Sequence, residues 1–466
     1  MRLLPLLALF ACGSKSTTVP GTTPPSGTID IDPNLAGFSS PLPLVLIDTH
    51  SLDIDEATYE IHHPVRATFI DLDPALGRAE INGDPDFSGN AGMHIRGASS
   101  RDYDKKQYKI ETWDDDGNDD SVKLFGMPKE ADWILHAPYS DKTLMRNHLI
   151  YKWSNDIGRY APRTRLVELF MATEPGAIGK EDYRGVYLLT EKIERDGDRV
   201  DIEKLLPEHD AEPEIAGGYL LKKDWLEEDD FFETERYSDG IIFVDPEVDE
   251  LTDAQKTWVE DHFNAFEDAL ASPDFADPVS GFGPFVDADS FHDHHLLVEM
   301  ARNVDGFVLS TFLSKDRDGP ITMGPIWDYN GSLGNADYFQ SYETQGWHHE
   351  FDDGGESFPA DNPNGYRWYE RMFEDPAYEA RYAERWREHR QGPLSTEQMM
   401  RDIDDVVALL TDNGASESPV QRNFEAWPIL DEYVWPNYLC CGTYEDQVDW
   451  LKQWLSGRVE WMDMQL

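Results

Sequence analysis

The sequence predicts an α+β protein of two lobes, a β-rich first part followed by a helix-rich second part. From about residue 43 to 205, short runs of β-prone residues recur between turn residues. From about 250 onward, apolar residues recur instead at helical spacing. Size allows this arrangement, since 466 residues with 40% hydrophobic and 12% aromatic content can bury a sizeable core and are not a disordered chain.

The chain opens on MRLLPLLALFACGS, with one positive charge at Arg2 and an apolar run to Ala11. That is a short secretory leader, too short to span a membrane. It ends at Leu9-Phe10-Ala11-Cys12, which resembles the lipobox of bacterial lipoproteins, so residues 1–12 read as a lipoprotein signal with Cys12 as the lipidated N-terminus. A plain secreted leader is the alternative. Residues 13–42, rich in Ser, Thr, Pro and Gly, are expected to form a flexible tether. The folded part would then sit outside the cytoplasm, lipid-anchored or secreted.

The β-rich lobe is expected over 43–206. Its strand candidates are PLPLVLIDTH, ATFIDLD, AGMHIRG, KQYKIETW, LVELFMAT and GVYLLTEKI. One helix interrupts them at 141–156. The acidic run DDDGNDD at 114–120 has its glycine misplaced for an EF-hand, and reads as a solvated hairpin tip. The helical lobe is expected over 207–466. A Thr252–Gln255 capping box opens its first helix. SFHDHHLLVEMARNV, PAYEARYAERWREHR, STEQMMRDIDDVVALLTDN and the terminal QVDWLKQWLSGRVEWMDMQ follow. Gly, Pro and acidic residues exclude a regular element at 345–366.

Charge and cysteines bound the function. Forty basic against 92 acidic residues leave a net charge of −52, which repels nucleic acid and anionic lipid and favours cations or basic partners. Cys440 and Cys441 are adjacent, and are expected as thiols rather than as a bridge.

Two stretches carry candidate chemistry. HIRGASSRDYDKKQYKIE at 94–111 holds Arg96, Arg101, Lys105, Lys106 and Lys109 against Asp102 and Asp104 through Ile110, a basic island in an acidic chain. Gly97-Ala98-Ser99-Ser100 could bring backbone N–H groups to an anion, although neither a Walker loop nor a GxGxxG is present. An ordinary hairpin with snorkelling lysines explains the same residues. The second stretch is NVDGFVLSTFLSKDRDGPITMGPIWDYN, with Asp305 after a helix and Asp328 after an apolar run. On a strand, Asp328 and Asn330 would share a face and offer oxygens to Mg²⁺. A turn with solvated carboxylates is the other reading.

Taken with DWILHAPYSDKTLMRN, GVYLLTEKIERDGDRVDI, GGYLLKKD and the closing WLKQWLSGRVEWMD, these stretches resemble the CotH family, secreted atypical protein kinases named for spore-coat protein H. The likeness runs from about 43 to the C-terminus. It implies a divergent kinase-like two-lobed fold that binds ATP with Mg²⁺ or Mn²⁺ and phosphorylates serines on surface or coat proteins. It also implies that Asp305 is the catalytic aspartate and Asp328 the metal holder, helped by Asn330. Arg96 and one of Lys105, Lys106 or Lys109 would face the phosphates, with Glu191 orienting that lysine; a strand-end surface charge is the other reading of Glu191. Two positions depart from the family's pattern: Asn330 stands where a second aspartate is common, and Ser310 where an asparagine is common.

The expected substrate is a basic, serine-bearing protein, steered by the acidic surface to a monomeric kinase. No nucleic-acid partner is expected, and membrane contact only through the N-terminal lipid. The alternative is a non-catalytic surface lipoprotein, an adhesin or coat organiser, that keeps the fold. His292, His294, His295 and Glu299 suggest a zinc site, but the sequence offers no third ligand in reach of the His295–Glu299 pair. A Ser290–Asp293 capping box accounts for them more simply.

Overall fold

The computed structural model describes residues 27–52, 54, 61–226, 230–238, 240–350, 366–414 and 417–466. The predicted leader, Cys12, the start of the tether and residues 351–365 of the predicted loop lie outside the described residues.

Seven strands close a barrel: β1 (Leu44–Asp48), β2 (His63–Ile70), β3 (Phe87–Arg96), β4 (Gln107–Trp113), β5 (Asp132–His136), β6 (Thr164–Ala172) and β7 (Tyr183–Glu191). Their spatial order is β1-β2-β3-β4-β5-β7-β6, antiparallel throughout except where β6 meets β1. An odd number of strands in an alternating ring requires one such parallel pair. Closure leaves no edge strand to protect, and the sequence reading did not anticipate it.

Alternation along each strand sorts side chains by face. Val45, Phe69, Met93, Ile110, Trp133 and Leu189 fill the barrel. Arg96, Gln107, Lys109 and His136 therefore point outward. The register pairs His94 with Lys109 and Arg96 with Gln107, so these outward groups form one patch. The acidic run is a hairpin tip, with Asp114 accepting the backbone N–H groups of Asp116 and Asn118.

The predicted tether ends earlier than residue 42. Leu35 is buried, Phe38 packs edge-on to Phe170 at 5.1 Å, and Ser39–Ser40 pairs with Ala79–Glu80. Ile31, Leu35 and Phe38 cover an apolar patch outside the barrel, and the surrounding polar composition hid them.

The second part is not purely helical. Strands β8 (Tyr219–Lys223), β9 (Phe231–Glu233), β10 (Gly240–Asp245), β11 (Thr311–Lys315) and β12 (Ile321–Met323) form an antiparallel sheet in the order β9-β10-β8-β11-β12. Each has only three to six residues, too short to register against the helices between them. The helices are α1 (Arg146–Asp156), α2 (Asp253–Ala271), α3 (Ala288–Ala301), α4 (Arg367–Met372), α5 (Pro376–Arg390), α6 (Thr396–Thr411), α7 (Pro419–Ala426) and α8 (Tyr444–Gln465).

Helix α1 starts later than the predicted 141, because Asp141 instead accepts the N–H groups of Thr143 and Arg146 in a turn. Thr252 and Gln255 cap α2 reciprocally, as the sequence indicates. Helix α3 is capped by Asp287 rather than Ser290, whose hydroxyl donates to the Asp287 carbonyl. Leu149, Ile150 and Trp153 of α1 join the helices and the second sheet in one large core, which also takes in Leu166, Val186 and Leu188. The barrel thus shares an outer wall with the second part.

Cys440 and Cys441 are joined in a disulfide, contrary to the expectation of thiols. The chain bends at Leu439 and again at Cys441–Gly442. Consecutive side chains in a bend can turn to one side, which an extended strand does not allow.

Candidate functional site

A cleft of about 480 Å³ lies between the outer face of β3–β5 and the loops of the second part. His94, Arg96, Gln107, Lys109 and His136 form its roof. Gly97 to Ser100 border it. Gly97 has φ +108°, and a Cβ there would fall 2.1 Å from the Ser100 hydroxyl, so glycine is required. Asp305, Ser310, Asp328 and Asn330 form the floor, Asp224 one side, and Tyr338 with Trp435 the other.

Two loops deliver the floor carboxylates. Asp305 follows the C-terminus of α3, where Arg302 adopts a left-handed φ of 46°. Asp328 follows β12, but its segment is not a strand, correcting the expectation that period two sets its face. Asp328 has φ +60°, a conformation that costs a non-glycine residue about 1–2 kcal/mol. Specific hydrogen bonds hold it there. Its N–H donates to the Tyr151 hydroxyl at 3.0 Å, and Asn303 Nδ2 donates to its carbonyl at 3.4 Å. The next N–H, of Tyr329, donates to Asn147 Oδ1 at 2.8 Å. Asn303 Oδ1 also accepts the Asp305 N–H at 3.4 Å, so one amide bridges both loops.

The roof is tied to the same loop. Asn147 Nδ2 lies 3.3 Å from His136 Nε2, and His136 Nδ1 lies 2.9 Å from Gln107 Oε1. Burial, then Arg96, pushes His136 down to about 3, so its imidazole is neutral and can accept from one amide while donating to the other.

Burial dominates the electrostatics of the floor carboxyls, with repulsion between neighbouring carboxylates adding to it. Burial raises Asp305 to about 7, assisted by the charges of Asp328 and Asp224. Burial raises Asp328 to about 6, with Arg96 opposing the shift and Asp224 adding to it. Asp305 and Asp328 are pushed into the range where they can exchange protons near neutrality. Three carboxylates, the Asn330 amide and the Ser310 hydroxyl offer hard oxygen donors. These are the donor types a Mg²⁺-like cation takes, but the three carboxylates do not all bring ligand atoms within 4.8 Å of one another and Asp224 is paired with Lys222 Nζ at 3.1 Å, so among the described residues the cleft holds no preformed cage.

The lysines separate by role. Lys109 lines the cleft, with Nζ 2.7 Å from Asp132 and 3.5 Å from Glu111. Lys105 is buried elsewhere, donating to the Val186 carbonyl at 2.6 Å and Asn423 Oδ1 at 2.9 Å, and so docks α7 on the barrel. Lys106 donates to the Arg101 carbonyl. Glu191 does not meet a lysine of the island. It is fully buried and takes Arg163, with Nη2 to Oε1 at 2.9 Å and Nε to both oxygens at 2.9 and 3.0 Å.

Sequence reasoning missed Asp224, Asn147, Tyr151 and Asn303. Asp224 closes the GGYLLKKD run, where a carboxylate directly after a strand was the available signal. Asn147 and Tyr151 act through backbone groups of a loop over 170 residues away and leave no local pattern, whereas Asn303 reaches both Asp305, two residues on, and the distant Asp328.

Fold and cleft together define an α+β protein whose barrel wall presents cations above carboxylates carried on two loops of a helix-and-sheet unit. The chain belongs to the CotH kinase protein family, whose model matches residues 93–462, from within β3 to near the end of α8. No curated protein matches it. No helix among the described residues is long and apolar enough to cross a membrane.

Proposed function

We propose that the protein is a CotH-type kinase that transfers the terminal phosphoryl group of ATP to serine hydroxyls of extracytoplasmic proteins. The observation that carries this reading is the meeting of Asp305 and Asp328 in one cleft with Arg96 and Lys109. Chain order supports a kinase-like arrangement: helix α3, the Asp305 loop, the hairpin β11–β12, then Asp328. Phosphoryl transfer needs this division, one carboxylate to take the hydroxyl proton and another to hold the metal.

In this reading Asp305 accepts the serine proton. Arg96 and Lys109 bind phosphate oxygens, and Asp132 and Glu111 steady Lys109 in the place first given to Glu191. Asp328 and Asn330 would hold Mg²⁺ or Mn²⁺, which when bound neutralises phosphate charge. The acidic surface recruits a basic, serine-bearing protein. A lipid on Cys12 hangs the domain outside the cytoplasm.

The second reading, a non-catalytic surface lipoprotein, is favoured by Asn330 and Ser310, which take charge and reach from the metal site. Incubation with labelled ATP, Mg²⁺ or Mn²⁺ and a basic serine-bearing peptide decides between them. Transfer by the wild type that is lost in Asp328→Ala supports the kinase. Label absent from both, or equal in both, overturns it.

A further inference from the structure

Outside the cleft, three potential metal ligands converge behind α3. His295 and Glu299 are one helical turn apart and share a face. Both are almost fully buried, at 1% and 0% exposure. The third group, which the sequence could not supply, is His349, 50 residues further along, with Nδ1 2.6 Å from Glu299 Oε1. One ligand atom from each lies within 4.8 Å of the others. We propose that His295, Glu299 and His349 form a structural Zn²⁺ site that fastens the segment around His349 to α3.

The outer partners support this assignment. A ligating histidine is ordinarily oriented by a hydrogen bond on its other nitrogen, and a ligating carboxylate by bonds to its second oxygen. His295 Nδ1 lies 2.8 Å from the Tyr382 hydroxyl, leaving Nε2 to face the cluster. Glu299 Oε2 accepts the His348 N–H at 2.7 Å and Arg458 Nη2 at 3.0 Å, while Oε1 accepts the His349 backbone N–H at 3.0 Å and keeps a lone pair toward the cluster. The Tyr366 hydroxyl, 3.0 Å from His295 Nε2, stands as a fourth ligand and second oxygen.

Two imidazoles with hard oxygens suit Zn²⁺ better than Mg²⁺, which takes oxygen ligands. Ring contacts from Phe307 at 5.1 Å and Phe373 at 5.0 Å enclose His295, which fits a structural site rather than a catalytic one. Binding requires His349 Nδ1 without its proton, so the neutral ring carries hydrogen on Nε2 and the proton shared with Glu299 leaves. His349 and Tyr366 flank residues 351–365, and Asp305 lies six positions beyond Glu299. A metal here would pin both flanks to the helix that leads to Asp305.

The test uses the full chain, purified without a metal-binding tag and dialysed against a buffer freed of zinc and other transition metals and containing Mg²⁺. Elemental analysis should find about one Zn²⁺ per chain, retained in Asp328→Asn and reduced about tenfold in His349→Gln. The glutamine amide can still donate to Glu299, so a purely hydrogen-bonded cluster predicts no difference between His349→Gln and wild type. Replacement by Co²⁺ should give the visible absorption of a four-coordinate ion in the wild type and in Asp328→Asn, but not in His349→Gln. Wild-type protein free of zinc, or equal zinc in wild type and His349→Gln, overturns the site. Because Asp328→Asn disables the cleft and not this cluster, either idea can fail without the other.

Discussion

Lys109 Nζ lies 2.7 Å from Asp132 Oδ1 on the outer face of the barrel, while Lys105, four residues earlier, is sealed against Asn423 of α7. Two lysines of one basic island thus belong to different problems, ligand binding and domain docking. Lys109→Ala should weaken nucleotide binding about tenfold or more and lower Tm only modestly, since Glu111 is buried but Asp132 keeps Lys192 Nζ at 3.6 Å. Lys105→Ala leaves the buried Val186 carbonyl without its lysine donor. It should lower stability by about 1–3 kcal/mol and leave nucleotide affinity unchanged in the protein that stays folded. Calorimetric titration with a non-hydrolysable ATP analogue and thermal melts check both. Reversal of the pattern would return Lys105 to the phosphate role.

How much of this was legible follows from range. Arg96, Lys109, Asp305, Asp328 and Asn330 were selected from local composition and family resemblance, and all line one cleft. Strand alternation told which residues share a face, but not that the ring closes, because closure depends on the parallel β1–β6 pairing of residues over 100 apart. The Glu191 assignment failed for a related reason. Its partner, Arg163, is 28 residues upstream on the approach to β6, and nothing local distinguishes that cation from the lysines. The Cys440–Cys441 bond depended on a bend that composition does not encode.

Glu191 therefore predicts a stability phenotype. Removing Glu191 takes the carboxylate from the partly exposed Arg163 and from the buried Arg199, whose Nε lies 3.9 Å from Oε1, at a cost of about 2–3 kcal/mol. Glu191→Ala should lower Tm by several degrees and leave the KM for ATP of the folded fraction within about twofold. A large rise in KM without loss of stability would restore the lysine-orienting role.

Asn303 predicts the opposite behaviour. Its amide spans the Asp328 carbonyl and the Asp305 N–H, so it sets the spacing of the two carboxylates without lining the cleft. Asn303→Ala should cut kcat about tenfold or more at unchanged KM for ATP, since small misplacement of reacting groups is costly. Equal effects on kcat and KM would mean general loosening of the site. Asn303→Asp keeps one acceptor for the Asp305 N–H, and should recover part of the loss.

The raised pKa values of Asp305 and Asp328 make stability depend on pH and on divalent cation in a linked way. Both carboxyls keep their protons to higher pH in the folded protein than in the unfolded chain. Their contribution is therefore fully present below about pH 4 and is lost as pH rises, through about 6 for Asp328 and about 7 for Asp305. Without divalent cation, Tm should fall across this window, driven by burial and by repulsion among Asp224, Asp305 and Asp328, which Arg96 and the Lys222–Asp224 pair at 3.1 Å only partly offset. Mg²⁺ should raise Tm more at about pH 8, where the carboxylates are ionised, than at about pH 5, where protons compete with it. Asp328→Asn removes one of the three charges, so it should flatten the decline and abolish most of the Mg²⁺ response. The net charge of −52 adds its own pH dependence, common to both proteins, so the difference between wild type and Asp328→Asn isolates the cleft. A Mg²⁺ shift that is larger at acid pH, or equal in Asp328→Asn, would mean the cation binds elsewhere on the acidic surface.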